Sequence, residues 1–155
     1  LDCGLVYKVN RVHEPHMPLK AYKNMNAYKL FVLDVGLLGA MSELPAESIL
    51  EGNDIFVEFK GALTEQYVLQ QLISDTPYTP YYYGNEKATF EQDFLIQKAK
   101  SIVPIEVKAE QNIRSHSLKT YCEKFQPEEA VRFSTLKYKE QEWMVNIPLY
   151  AVCNL

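Results

Sequence analysis

The residues with the clearest chemical potential are three carboxylates and a lysine in two adjacent segments. Residues 89–97 and 101–108 both alternate apolar and polar side chains, which predicts two β-strands. If the short link between them makes a tight hairpin, Asp93 lies opposite Glu106. Because side chains alternate between the two faces of a strand, directly opposed residues share a face. The chemically active set on that face is Glu91, Asp93, Glu106 and Lys108.

Carboxylates that face each other across two strands repel, so this arrangement needs a compensating charge. A divalent cation supplies it, since Mg²⁺ is typically held by one or two carboxylates together with water and phosphate oxygens. Lys108 lies about 6–7 Å along the strand from Glu106 on the same face, where its ammonium group can reach a phosphate or a water molecule. The alternative is a solvated polar face on which Glu91 and Lys108 form an ordinary cross-strand ion pair.

A further acidic residue lies on a predicted helix that precedes this hairpin. Asn53 is a good N-cap, and the pattern after it predicts a helix over residues 54–73. Glu65 falls on the apolar stripe of that helix, where an unpaired carboxylate is expensive to bury. We therefore expect Glu65 to face the same cation or a lysine, or else to reach solvent at the edge of the stripe. Gly61 inside the helix is typical of a close packing contact.

The remaining segments predict the elements that position these residues. A strand pair resembling a wing-shaped hairpin comes first, and Asp34 after it stands where the N-cap of a short helix would. The order of the elements predicts an α/β (α+β) fold in which helices flank a mixed sheet. The predicted strands are 5–12, 28–33, 81–83, 89–97, 101–108, 130–134 and 143–146, and the longer predicted helices are 54–73 and 117–125.

Composition limits the function classes. The chain has 155 residues, of which 47% are hydrophobic and 23% are charged, as in an ordinary globular domain. Its 20 acidic and 16 basic residues give a net charge of -4, so nucleic-acid binding would need a local patch or a metal. The three cysteines lack a C-x-x-C motif, which favours reduced thiols in a cytoplasmic protein. No apolar run is long enough for a membrane span, so we expect no membrane partner.

The motifs around these residues resemble the PD-(D/E)xK, restriction-endonuclease-like superfamily. They are Glu65 in GALTEQYVLQQL, Asp93 in FEQDFLI, and the E-x-K of Glu106 and Lys108 in IVPIEVK. More narrowly, the chain resembles DUF4143, a domain found behind a P-loop ATPase domain in many bacterial and archaeal proteins. The landmarks of that family are YKLFVLDVGLL, KGALTEQYVLQQL, FEQDFLIQ, IVPIEVKAE, SHSLKTYCEKF and NIPLYAV. The chain departs from the superfamily pattern in having Gln92, not proline, before the aspartate.

This resemblance implies a metal site for hydrolysis of a nucleic-acid phosphodiester. Asp93 and Glu106 would ligate Mg²⁺ or Mn²⁺, and Glu65 would complete or orient the site. Lys108 would position or deprotonate the attacking water. The catalytic set that the resemblance implies is Glu65, Asp93, Glu106 and Lys108.

The resemblance also implies how the chain is organised. Residues 1–35 would be the tail of a winged-helix-like segment, and residues 36–155 would be a restriction-endonuclease-like, PD-(D/E)xK nuclease-like domain. The partner in the full-length protein would be its own N-terminal ATPase domain, where ATP would bind. This chain contains no G-x-x-x-x-G-K-[ST] motif, so we expect it not to hydrolyse ATP by itself.

A different class of function remains open. A non-catalytic module with the same fold would couple the ATPase to a partner protein or to nucleic acid. The acidic net charge favours this alternative, because a nuclease gains affinity by neutralising phosphates. A structural role in forming an oligomer is also open.

Overall fold

The alternating segments of the sequence assemble into a single sheet. The computed structural model describes residues 4–45, 47, 54–84, 90–109 and 115–155. The strands are β1 (Val6–Val12), β2 (Lys23–Val32), β3 (Tyr81–Tyr83), β4 (Gln92–Lys98), β5 (Ser101–Lys108), β6 (Val131–Ser134), β7 (Lys139–Glu140) and β8 (Val145–Pro148). The helices in these ranges are α1 (Val35–Met41), α2 (Asp54–Asp75) and α3 (His116–Phe125), with 3-10 helices at Leu19–Tyr22 and Leu149–Asn154.

The described strands form one eight-stranded sheet of mixed direction. Their order is β2-β1-β3-β4-β5-β6-β8-β7. The pairs β1–β3, β5–β6 and β6–β8 are parallel, and the other four neighbouring pairs are antiparallel. The predicted mixed sheet with flanking helices is therefore confirmed, although the sequence did not reveal the two-residue strand β7.

The first hairpin belongs to the same sheet as the rest of the chain. β1 and β2 are antiparallel, as predicted, and β2 begins at Lys23, earlier than the predicted start. β1 also pairs in parallel with β3. The carboxylate of Asp34 accepts a hydrogen bond from the N–H of Leu37 at 2.8 Å, which confirms the predicted N-cap of α1. The domain boundary at residue 35 stays a prediction.

The second hairpin has the predicted register. Phe94 pairs with Ile105, and Lys98 pairs with Ser101 across a two-residue turn. Ala99, the first residue of that turn, has a φ of 52°, in the left-handed region. The tight turn fixes which side chains of β4 and β5 share a face.

The sheet is covered on both faces. On one face, α2 packs its apolar stripe (Val68, Leu69 and Leu72) against the apolar residues of β4 and β5 that the alternation predicts. On the other, Tyr121 of α3 packs with Tyr83 and Leu95. Alternation along residues 89–97 predicts Phe90 on the same core face as Phe94. That prediction is wrong, because Phe90 packs against Tyr83 with ring centroids 5.7 Å apart. Phe90 precedes the start of β4, so strand alternation does not constrain its direction.

Helix α2 confirms the predicted helix and continues to Asp75. The predicted N-cap Asn53 lies outside the described residues. The expectation of a packing contact at Gly61 is wrong, since a Cβ there would meet no heavy atom within 4 Å and the residue is exposed. In the described ranges, no helix combines the length and apolar character needed to cross a membrane.

Candidate functional site

Where the regular backbone pairing of β4 with β5 ends, two side chains of β4 form hydrogen bonds with the backbone of β5. The paired register ends at Phe94 and Ile105. Beyond it, Oδ2 of Asp93 accepts a hydrogen bond from the N–H of Val107 at 2.7 Å. Nε2 of Gln92 donates to the carbonyl oxygen of Ile105 at 2.6 Å. These two bonds hold the segment of β5 that carries Glu106.

Glu106 is a buried carboxylate with one partnered and one unpartnered oxygen. The residue is 2% exposed, and its Oε1 lies 2.8 Å from Nζ of Lys108. Its Oε2 has no hydrogen-bond partner among the described residues. A buried carboxylate oxygen without a partner carries a desolvation cost of about 1–3 kcal/mol or more, which a donor or a cation would relieve.

Arg132 of β6 pairs laterally with Glu106 across the parallel strands. Its guanidinium is fixed by hydrogen bonds from Nε to Oδ1 of Asn146 at 2.9 Å and from Nη1 to Oγ of Ser115 at 3.1 Å. Burial lowers the pKa of Arg132, while the charge of Glu106 acts in the opposite direction. Glu106 therefore lies in the field of two cationic side chains, Lys108 and Arg132.

Glu65 and Glu91 share a different cation. Nζ of Lys29, on β2, lies 2.5 Å from Oε1 of Glu91 and 3.8 Å from Oε2 of Glu65. The two partners expected for Glu65 are a metal cation and a lysine, and the structure places a lysine beside it. The cross-strand pair of Glu91 with Lys108 is wrong, because Lys29 binds Glu91 and Lys108 binds Glu106.

Asp93 interacts electrostatically both with the pair of Lys29 and Glu65 and with Glu106. Burial raises the pKa of Asp93 to about 7, and the charges of Glu65 and Glu106 act in the same direction. The N–H of Val107 and the ammonium of Lys29 act against this rise. The structure therefore brings both Glu65 and Glu106 within electrostatic range of Asp93.

The donor set suits a site with two carboxylates rather than three. Among the described residues, no group of three or more His, Cys, Asp or Glu side chains lies close enough together to hold a metal ion. Glu65 is drawn towards Lys29, which leaves Asp93 and the free Oε2 of Glu106. Hard oxygen donors of this kind, one or two at a time and completed by water and phosphate, are what Mg²⁺ takes. Asp93 and Glu106 are oxygen donors of this kind.

Three residues of this region escaped the sequence analysis: Lys29, Gln92 and Arg132. Lys29 sits in a segment that predicts a strand and nothing more, and its partners are far along the chain. Gln92 stands out in the sequence only because the superfamily motif has proline before the aspartate. Arg132 offered a usable signal, since it is a lone charge in the four-residue strand VRFS, all of which is buried.

Among the described residues, one cavity near α2 touches the site and a larger one does not. The smaller cavity has a volume of about 360 Å³, and Lys29, Glu65 and Gln66 are among its lining residues. The larger, about 660 Å³, is mostly apolar and is lined by residues such as Leu63, Tyr67 and Leu149, with none of the four candidate residues. The carboxylates, not the larger of these cavities, therefore define the candidate site.

The fold and the site together define a mixed α/β domain with a carboxylate and lysine cluster where two central strands meet. Residues 60–151 match the family model described as "Domain of unknown function (DUF4143)". The chain belongs to this family, as its landmark segments predict. No curated protein and no solved structure matches the chain. The family match includes every candidate residue from Glu65 to Lys108.

Proposed function

We propose that this domain is a metal-dependent nuclease of the PD-(D/E)xK type. The observation that carries the proposal is Oε2 of Glu106, which has no hydrogen-bond partner in the part of the chain that the structure describes and is buried beside Asp93 at the end of the β4–β5 pairing. A cation at this point would satisfy that oxygen and offset the repulsion between the two carboxylates. Glu65, Asp93, Glu106 and Lys108 then serve one reaction centre.

Each residue has a distinct role in this proposal. Asp93 and Glu106 hold Mg²⁺ or Mn²⁺, which when bound polarises a phosphoryl oxygen and lowers the pKa of a water molecule. The carbonyl of Val107 points towards β4, as its N–H does, and adds a third oxygen on the same side. Lys108 positions the attacking water and stabilises phosphate charge. Glu65 orients the site through Lys29.

The finer features of the fold belong to the same proposal. The sheet is of the restriction-endonuclease-like type, and β1 and β2 are the end of a winged-helix-like segment that precedes the nuclease-like domain of residues 36–155. The chain forms the C-terminal part of a cytoplasmic ATPase of bacteria or archaea, and nucleic acid is its substrate. The free thiols of Cys122 and Cys153 support a reducing compartment.

A non-catalytic module is the second candidate, and a specific observation favours it. Lys29 pairs with both Glu65 and Glu91, and Lys108 pairs with Glu106, so two lysine charges balance two of these three carboxylate charges. In this alternative the cluster holds β2, α2, β4 and β5 together. The domain then couples the ATPase to a nucleic acid or a protein without cleaving a bond.

A cleavage assay separates the two candidates. The purified chain with Mn²⁺ or Mg²⁺ is incubated with end-labelled single-stranded, duplex and branched DNA and RNA. The nuclease proposal predicts cleavage that falls at least about 100-fold in Lys108→Ala. Lys98→Ala is the matched control, because Lys98 pairs with Glu129 at the other end of the hairpin. Cleavage that survives Lys108→Ala, or no cleavage of any of these substrates, favours the non-catalytic module.

A further inference from the structure

Lys29 lies where several carboxylates of the site come closest to one another. Its ammonium contacts Glu91 and Glu65 and interacts with the charge of Asp93. The ammonium also lies over the ring of Tyr82, with Nζ 5.1 Å from the ring centroid. Lys29 comes from β2, whereas its carboxylate partners come from α2 and the segment around the start of β4.

Many sites that hydrolyse phosphodiesters bind two divalent ions about 3.5–4 Å apart, which share carboxylate ligands. In this domain Asp93 and Glu106 would belong to the first ion, and Glu65 and Glu91 would be the two carboxylates left for a second ion. A fixed ammonium between those two carboxylates repels a second divalent ion and supplies part of its charge.

We propose that Lys29 takes the place of a second divalent cation, so that the domain binds a single metal ion per chain. This inference rests on the proposed function, because it needs the first ion at Asp93 and Glu106. Lys29 is then a positioning residue. It pairs with Glu65 and Glu91 and leaves Asp93 to bind the first ion.

Charge, not lack of room, is what excludes the second ion. A cavity of about 360 Å³ opens beside Lys29 and Glu65, and Glu91 is not among its lining residues. The side chains of Glu65 and Glu91 are 33% and 50% exposed, so water reaches both carboxylates. Burial lowers the pKa of Lys29, but the hydrogen bond to Glu91 and the surrounding carboxylates raise it by more. The net shift of the pKa is upward, so the ammonium stays charged.

The test is the stoichiometry of Mn²⁺ binding, measured by isothermal titration calorimetry on the wild type and on Lys29→Met. Methionine keeps the length and apolar stem of lysine and removes its charge. We expect one Mn²⁺ per wild-type chain and two per Lys29→Met chain, with the paired ions detectable as spin coupling by electron paramagnetic resonance. Lys8→Met is the matched control and should bind one ion, because Lys8 also lies over a tyrosine ring, that of Tyr28, away from the site.

Two further results keep the inference separate from folding and from the proposed function. Lys29→Gln, which keeps hydrogen-bond donors for Glu91, should also bind two ions, whereas Lys29→Arg should bind one. One ion in the wild type and one in folded Lys29→Met or Lys29→Gln overturns the inference and leaves the proposed function intact. No ion bound by the wild type overturns both.

Discussion

The carboxylate of Asp93 is held in an environment that favours its protonated form. Burial raises its pKa to about 7, with help from the charges of Glu65 and Glu106. The folded protein therefore binds this proton more tightly than the unfolded chain, in which the ordinary value is 3.8. The contribution of Asp93 to the free energy of unfolding therefore falls as the pH rises from about 4 to about 7. It is constant below and above that range.

Replacing Asp93 by asparagine tests this linkage. Asparagine still accepts the hydrogen bond from Val107 but does not ionise. We expect Asp93→Asn to be more stable than the wild type by about 2–4 kcal/mol near pH 8, and by less than about 1 kcal/mol near pH 4.5. Urea unfolding in the presence of EDTA at both pH values measures the difference. A stability difference that does not change with pH, or that grows towards low pH, contradicts the environment assigned to Asp93.

At the residue scale, the sequence predicts some partners and misses others for a physical reason. Asp93 and Glu106 are separated by a tight hairpin, so alternation alone brings them together. The pairing of Lys29 with Glu65 and Glu91 depends on β1 joining β3 in parallel and on the packing of α2, which no local pattern encodes. The direction of Phe90 is missed because that residue lies before the strand begins.

Helix α2 contains a glycine whose position gives no packing benefit. A Cβ at Gly61 would meet no heavy atom within 4 Å. We expect Gly61→Ala to stabilise the protein by about 1 kcal/mol, because alanine loses less conformational freedom in a helix interior than glycine does. Thermal unfolding followed by circular dichroism measures the change. Gly36→Ala in α1 is the contrasting variant, since its Cβ would lie 3.1 Å from Oδ1 of Asp34 at the N-cap. Equal or opposite effects at the two positions contradict this account of α2.

In the turn between β4 and β5, an alanine occupies a backbone conformation that favours glycine. Ala99 has a φ of 52°, which costs an L-residue about 1–2 kcal/mol. We expect Ala99→Gly to stabilise the protein by about 0.5–1 kcal/mol, because the relief of strain exceeds the added freedom of the unfolded chain. The midpoint of urea unfolding measures it. Lys100→Gly, at the next turn position, has no positive φ to relieve and should destabilise. A destabilised Ala99→Gly contradicts the turn geometry.

At the element scale, the predictable features are those fixed by short connections. The register of β4 with β5 follows from a two-residue link, and α2 follows from a long helical pattern. Two features have no such signal. The register shift between β3 and β4 depends on tertiary packing, and β7 has only two residues, too few to show alternation.

The whole molecule explains how residues far apart in sequence reach one place. The central strands β4 and β5 carry Asp93, Glu106 and Lys108, while β2 and α2 approach them with Lys29 and Glu65. An acidic chain with a net charge of -4 has no broad field for phosphate. In the proposed function the chemistry depends on this small cluster, where Asp93 and Glu106 would hold a divalent cation.

Calorimetric titration of the chain with Mn²⁺ and Mg²⁺ tests that claim most directly, since it needs no choice of substrate. The variants to compare are Asp93→Ala and the control Glu129→Gln, a carboxylate that pairs with Lys98 away from the site. We predict saturable binding of one ion by the wild type and by Glu129→Gln, and none by Asp93→Ala. Absence of binding at millimolar metal, or equal binding by Asp93→Ala, would contradict the account.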